Sequence, residues 1–175
     1  MATIKNIVLT GFMMAGKTSV GKELARILEF DFADTDELIV KREKKEITDI
    51  FADNGEEYFR DIESEVAKDV SSLENTVIST GGGMVLRKEN ISKLRKNGVI
   101  VNLEITDVVI KKRLEKEREK RPLIKGADFE EVLAKLEKRK EFYDNCDYKI
   151  IVSNEKNVKD VAEEIIELLK KNGEV

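Results

Sequence analysis

The residues Gly11-Phe12-Met13-Met14-Ala15-Gly16-Lys17-Thr18 fit the pattern G-x-x-x-x-G-K-[ST] without a mismatch. Residues of these types at this spacing bind a polyphosphate. Gly11 and Gly16 let backbone N–H groups turn inward around a phosphate chain. Lys17 supplies a point charge to bridge β- and γ-phosphates, and the Thr18 hydroxyl can hold Mg2+. The alternative is a plain glycine-containing turn. The context argues against it, because the pattern has its meaning only between a strand and a helix N-terminus. Ile4 to Thr10 is apolar and rich in β-branched residues, and Val20, Leu24, Ile27 and Leu28 then recur at helical spacing. The positive end of that helix points at the same phosphates.

Other segments carry chemistry only in company with this loop. Asp34-Thr35-Asp36 places two carboxylates two residues apart. Beside a metal–nucleotide site, one can support the metal and the other can meet an acceptor hydroxyl. On its own the segment reads first as a helix N-cap, with Asp34 or Thr35 capping, and only the phosphate loop beside it favours the metal and acceptor roles. Gly81-Gly82-Gly83 ends an apolar run and lets a backbone approach a ligand closely; a flexible turn is the bland alternative. Arg60 after Phe59, and Arg139 in Glu137-Lys138-Arg139-Lys140, are not singled out by spacing, since an isolated helical Arg is usually a solvated charge. Arg121-Pro122 stands in a densely charged stretch. It suits a closing lid whose Arg stabilises charge on a transferring phosphoryl group, and equally a surface ion pair.

The chain has 175 residues, 41% hydrophobic and 39% charged, with a net charge of −4. It is long enough for one domain with a proper core. The acidic balance argues against a dedicated nucleic-acid binder, and no apolar run approaches the ~20 residues of a membrane span. The start enters a strand at once, which leaves no room for a signal peptide. A lone cysteine, Cys146, fits the reducing cytoplasm. With no histidine anywhere, Cys146 reads as a packing residue, and Ser-His-Asp triads and His-based metal sites are excluded.

Strand-like and helix-like segments alternate, which predicts an α/β fold with a mainly parallel sheet and ligands at the carboxyl ends of its strands. The expected strands are 4–10, 30–34, 76–80, 99–103 and 148–152. Helices are expected over 19–28, from 35 to about 45, over 56–73, from about 87 to 96, from Thr106 into the charged stretch, from Asp128 to about Asp144, and along Val158 to Leu169. Thr48 is expected to cap a short helical turn ending at Asn54-Gly55. Asp128 with Glu131 resembles a capping box.

Taken in order, these blocks make the chain resemble shikimate kinase over nearly its whole length. The resemblance rests on Gly11 to Thr18, Asp34-Thr35-Asp36, Ile50-Phe51, Gly55-Glu56, Phe59-Arg60, Glu63, Gly81-Gly82-Gly83, Arg121-Pro122-Leu123, and Arg139 with Tyr143. It implies a three-layer P-loop fold like that of the nucleoside monophosphate kinases, with a five-stranded parallel sheet in the order 2-3-1-4-5 and helices on both faces. It also implies one domain over 1–175, with a substrate-binding helical region at about 34–62 and a lid at about 114–127.

The implied activity is Mg2+-dependent transfer of the ATP γ-phosphate to the 3-hydroxyl of shikimate, with Lys17, Asp36 and Arg121 catalytic. Met14, Ala15, Gly16, Lys17, Thr18, Ser19, Arg113 and Arg121 would hold the nucleotide, Arg113 near the adenine. Asp36, Arg60, Gly81, Gly82, Gly83 and Arg139 would bind shikimate, and Thr18 and Asp34 the metal. The implied protein is a cytoplasmic monomer, with neither nucleic acid nor membrane as partner. Four departures stand out: Thr18-Ser19 reverses the usual Ser-Thr order, Met14 stands where glycine is common, Lys156 is the cation near a position where the family often has an Arg by the adenine, and the stretch between Arg113 and Arg121 is longer and more charged than in some relatives. The competing readings are a related P-loop kinase acting on gluconate or a nucleoside monophosphate, and a nucleotide-binding protein without catalysis.

Overall fold

The computed structural model describes residues 6–120 and 128–175, the side chains of 118–120 excepted. The parallel sheet has five strands: β1 (Asn6–Gly11), β2 (Asp31–Asp34), β3 (Thr76–Ser79), β4 (Gly98–Ile105) and β5 (Tyr148–Val152). Their order is β2-β3-β1-β4-β5, as expected. β1 lies at the centre with every residue buried, and Ile7 meets Val77 on one side and Val99 on the other. Such continuous apolar runs are what a sheet covered on both faces requires.

The helices are α1 (Lys17–Leu28), α2 (Thr35–Glu43), α3 (Ile47–Val70), α4 (Lys88–Arg95), α5 (Asp107–Lys120), α6 (Phe129–Tyr143) and α7 (Val158–Lys171). The chain moves from β1 to β2 in one direction across the sheet and from β3 to β4 in the other. Right-handed crossovers therefore place α1 and α4 on opposite faces. The packing agrees, with α1 against α7 and α3 against α4. α7 buries Val161, Ala162, Ile165, Ile166 and Leu169 of the stripe expected from its periodicity, while Val158, at its first position, is exposed. A reciprocal capping box joins Asn157 and Asp160 at its start.

Some sequence expectations are corrected. The short turn before Asn54-Gly55 and the helix after it form the single element α3, which starts at Ile47 with Glu46, not Thr48, at its N-cap. Gly55 has φ +83° and kinks the helix, and the chain resumes helical geometry beyond it. Phe59, Ile62, Val66 and Val70 line its buried face, as expected. Asp128 caps α6 by accepting from the Glu130 N–H rather than through a box with Glu131. A 3-10 turn over Met84–Leu86, absent from the sequence reading, follows the glycine run. Half-buried Cys146 packs against the core, and burial pushes its thiol pKa up, in line with a packing role.

Candidate active site

Strand register assembles the site. Leu9 of β1 and Asp34 of β2 both pair with Ser79 of β3. The phosphate loop, the Asp34–Asp36 segment and the Gly81–Gly83 run thus leave three adjacent strands at one level. The crossovers leaving β1 and β3 run in opposite directions across the sheet, which makes this the crevice where ligands of open α/β sheets bind.

Gly16 stands at the N-cap of α1 with φ +87°, a left-handed conformation that glycine adopts freely. Lys17 opens the helix and folds back into the loop, its Nζ donating to the carbonyls of Gly11 at 2.7 Å and Phe12 at 3.0 Å. The residue is only 8% exposed. Burial lowers its pKa from 10.5 to about 8, although Asp36 and Asp34 pull the other way and Arg139 adds to the lowering. A phosphate at the loop would favour the charged form.

Asp34 satisfies two demands at once. Its Oδ1 caps α2 by accepting from the N–H groups of Asp36 at 2.9 Å and Glu37 at 3.3 Å, while Oδ2 accepts the Thr18 hydroxyl at 2.7 Å. The capping and metal readings of Asp34 therefore do not compete. Thr35, buried between the two acids, accepts the Gly81 N–H at 2.9 Å and so ties the end of β2 to the glycine run.

Asp36 sits partly buried on the first turn of α2. A methyl group on Gly81 would come within 2.5 Å of Asp36 Oδ1 and 3.0 Å of Glu63 Oε1, so both carboxylates converge on that glycine. Burial raises the Asp36 pKa, nearby Asp34 adds to it, and Lys17 and Arg60 oppose. Asp36 thus binds a proton more readily than an ordinary carboxylate, which suits a group facing a reacting hydroxyl.

Arg60 is 9% exposed. Its Nη1 pairs with Glu63 Oε2 at 2.6 Å and its Nη2 with Glu56 Oε1 at 3.2 Å. The guanidinium lies so close to Gly83 that a methyl there would overlap it. Glu63 is 1% exposed, and burial raises its pKa against the pull of Arg60. Arg60 Nε is buried without a hydrogen-bond partner among the described residues. Arg139, half-buried on α6, lies where a methyl on Gly82 would stand 3.8 Å from its Nη1.

Arg113 donates from Nη1 to the Met14 carbonyl, which puts its guanidinium on the phosphate loop. Met14 holds φ +67°, a conformation in which a non-glycine residue carries about 1–2 kcal/mol of strain. This accounts for glycine being common there in the resembled family. Ala15 closes the loop with its N–H on the Phe12 carbonyl at 3.1 Å. A cleft of about 280 Å3 is lined by Met14, Gly16, Lys17, Thr18, Ser19, Asp34, Asp36 and Gly82, among others. A larger cavity of about 410 Å3, at the end of β4, is lined by Phe12 and Tyr143 among others but by none of the residues expected to bind nucleotide, metal or acceptor.

The structure thus brings together the predicted residues of the phosphate loop, Asp34, Asp36, Arg60, the three glycines, Arg113 and Arg139. Of the expected lid at about 114–127, residues 114–120 continue helix α5, whereas 121–127, with Arg121 and Pro122, lie outside the described residues. Lys156 pairs with Glu164 at 2.5 Å and the Ile151 carbonyl at 3.2 Å, so its ammonium is engaged with the end of β5 and with α7. The spacing arguments missed Thr35 as a ligand of Gly81 and Glu56 and Glu63 as partners of Arg60. The i,i+4 and i,i+3 spacings of those acids to Arg60 were the available signal.

A sequence model of the shikimate kinase family matches residues 13–170. The shikimate kinase of Caldanaerobacter subterraneus subsp. tengcongensis is 48% identical over 164 residues, 93% of this chain and 95% of that protein. The structure of the shikimate kinase of Acinetobacter baumannii in complex with shikimate superposes with a TM-score of 0.86 at 32% identity, covering 97% of this chain and 95% of that one. A gluconokinase from Sinorhizobium meliloti reaches a TM-score of 0.59 at 15% identity over 98% and 95% of the two chains, a likeness of fold alone. With the family match spanning most of the chain and the site residues grouped at one crevice, the chain belongs to the shikimate kinase family.

Proposed function

We propose that this chain transfers the γ-phosphoryl group of Mg2+-bound ATP to the 3-hydroxyl of shikimate, with roles divided as follows. Lys17 and the loop N–H groups hold the phosphates, and Arg113 steadies the loop from α5 toward the base. Arg60 and Arg139 grip the shikimate carboxylate in a planar fork. The backbone of Gly81, Gly82 and Gly83 lets the ring approach. Asp36 accepts the hydrogen bond of the attacking hydroxyl and takes its proton as that oxygen bonds to the γ-phosphorus. The bond from that phosphorus to the β-phosphate oxygen breaks, and ADP leaves. Such transfer is chiefly positioning and charge neutralisation, so Asp36 need not be a strong base.

Thr18 and Asp34 place hard oxygens 2.7 Å apart beside the phosphate cleft, a donor set that fits Mg2+. When bound, the ion would neutralise charge on the phosphates. On the family resemblance, Arg121 joins the phosphates from a lid at about 114–127, and the helical region at about 34–62 holds the acceptor. The reading places one copy of the chain in the cytoplasm; no described helix is long and apolar enough to cross a membrane.

The observation that carries this reading is the convergence of nucleotide and acceptor groups: strand register brings the phosphate loop, Asp34 and the glycine run level, with Asp36 at Gly81, Arg139 at Gly82 and Arg60 at Gly83. ADP release with ATP and shikimate as substrates tests it. Turnover is expected with shikimate and at most a trace with gluconate or nucleoside monophosphates. Equal or faster turnover with either of those would overturn the acceptor assignment.

A further inference from the structure

Three consecutive glycines have wide backbone freedom, and a ligand-binding loop made of them must be pinned from outside. The pins can be named. Thr80 donates from its N–H at 3.1 Å and its hydroxyl at 2.8 Å to the Leu9 carbonyl, which fixes the entrance. Thr35 accepts from Gly81 N–H. The Met84 N–H returns to the Gly81 carbonyl at 3.0 Å. The Gly82 carbonyl is held by a side chain distant in sequence: the Tyr143 hydroxyl donates to it at 2.6 Å. A peptide unit is planar, so fixing that carbonyl also fixes the direction of the Gly83 N–H.

Tyr143 is well placed for this. It is 5% exposed, at the last turn of α6 and one helical turn beyond Arg139. Its ring meets Phe12 edge-on, with centroids 6.4 Å apart at 82°. Phe12 is itself buried, and its carbonyl receives Lys17 Nζ. Burial raises the Tyr143 pKa, outweighing the facing Arg139 and Arg60, so the hydroxyl remains a donor at neutral pH. The same side chain thus sets the middle peptide of the glycine run against the helix that carries Arg139.

We propose that Tyr143 is a positioning residue for the acceptor: its hydroxyl orients the Gly82–Gly83 peptide and keeps it in register with Arg139. The proposal rests on the reading of Arg139 and the glycine run as acceptor-binding. Tyr143→Phe removes the hydroxyl and keeps the ring against Phe12, so the fold is retained. A neutral hydrogen bond contributes about 0.5–1.5 kcal/mol, so shikimate affinity should fall about two- to tenfold.

Three quantities are read for the parent, Tyr143→Phe and Arg139→Ala: the Kd of shikimate, the Kd of ATP, and Tm. The expected result for Tyr143→Phe is weaker shikimate binding with ATP binding unchanged, and a Tm lowered by no more than the few degrees that one lost hydrogen bond accounts for. Shikimate binding equal to the parent's would overturn the proposal. So would an equal loss for both ligands with a lowered Tm, which marks a merely structural role. If Arg139→Ala binds shikimate like the parent, the acceptor reading falls and the Tyr143 role with it. If only Arg139→Ala is impaired, the reading stands and the Tyr143 role alone is lost.

Discussion

Thr18 donates its hydroxyl to Asp34 across 2.7 Å, which joins the helix that follows β1 to the cap of the helix that follows β2. One carboxylate oxygen serves the fold and the other faces the phosphate cleft, so two substitutions at this position separate the roles. Asp34→Asn keeps an N-cap, since Asn caps as well as Asp, and removes the charge. Its stability should stay close to the parent's while the Mg2+ concentration for half-maximal turnover rises. Asp34→Ala loses the cap as well and should cost a further ~1 kcal/mol of stability. Denaturation curves with Mg2+ titrations of turnover check both. An unchanged Mg2+ requirement in Asp34→Asn would remove Asp34 from the metal site.

Lys17→Met should abolish transfer and leave the folded protein at least as stable. The displacement of the Lys17 pKa from 10.5 to about 8 corresponds to roughly 3 kcal/mol of unfavourable charge burial. Methionine keeps an unbranched stem without that charge, though it also gives up the bonds to the Gly11 and Phe12 carbonyls. Tm and turnover measured together check this. Undiminished turnover would remove the loop from the mechanism, and a marked fall in Tm would contradict the burial argument.

The same lysine sets a pH dependence with opposite signs for binding and stability. Between about 8 and 10.5 the unfolded chain keeps the proton that the folded chain has lost, so the contribution of Lys17 to stability rises with pH across that window. Nucleotide binding needs the ammonium, so ATP affinity should fall as pH rises through about 8. On the acid side, the raised pKa of Asp36 predicts that turnover fails at a higher pH than for an ordinary carboxylate. Titrations of ATP binding and kcat against pH test these limbs. ATP affinity that is flat from neutrality to pH 10 would contradict the Lys17 assignment.

Sequence reached the five strands, the parallel α/β class and the phosphate loop because each rests on local signals: alternating elements, β-branched runs and a motif whose spacing has one use; the strand order came only from the resemblance. It misread α3 because Asn54-Gly55 has the chemistry of a helix stop, whereas Gly55 at φ +83° supplies only a kink. Asp34 and Asp36 stood out by following a strand. Arg60 and Arg139 did not, since a helical Arg carries no mark of what it faces; the resemblance supplied them. Thr35 on Gly81 and Tyr143 on Gly82 are contacts across 46 and 61 residues. No local period encodes those, and they exist only once parallel register has brought three strand ends level.

Gly81 offers a test of space rather than charge. Gly81→Ala would set a methyl 2.5 Å from Asp36 Oδ1 and 3.0 Å from Glu63 Oε1, and one of the two carboxylates must move. Asp36 is the less buried of the pair and should yield. Turnover should fall about tenfold or more, since small misplacements of reacting groups have large effects, while ATP affinity stays near that of the parent. Steady-state kinetics with ATP titration check this. Parental turnover would show that Asp36 is not held by this contact.

The acceptor assignment rests on two arginines, and their loss should be selective. Arg60 and Arg139 come to the glycine run from α3 and α6, and neither touches the phosphate loop through any described hydrogen bond. Arg60→Ala should therefore weaken shikimate binding and leave ATP binding nearly intact. A charge-assisted hydrogen bond contributes about 1.5–3 kcal/mol, or roughly ten- to a hundredfold in affinity. Arg60→Ala also strands Glu63, which is 1% exposed and paired with Arg60 at 2.6 Å, so some loss of stability is expected with it. Arg139→Lys leaves the Arg60–Glu63 pair intact, although Arg139 also bonds the buried Tyr143 hydroxyl; it keeps the charge while losing the planar fork, and should still weaken shikimate binding. Asp36→Asn, the third variant of the set, should lower kcat more than it weakens either ligand. Titrating shikimate and ATP separately against the three variants decides the matter. If both arginine variants bind shikimate like the parent, the carboxylate is held elsewhere and the acceptor assignment falls.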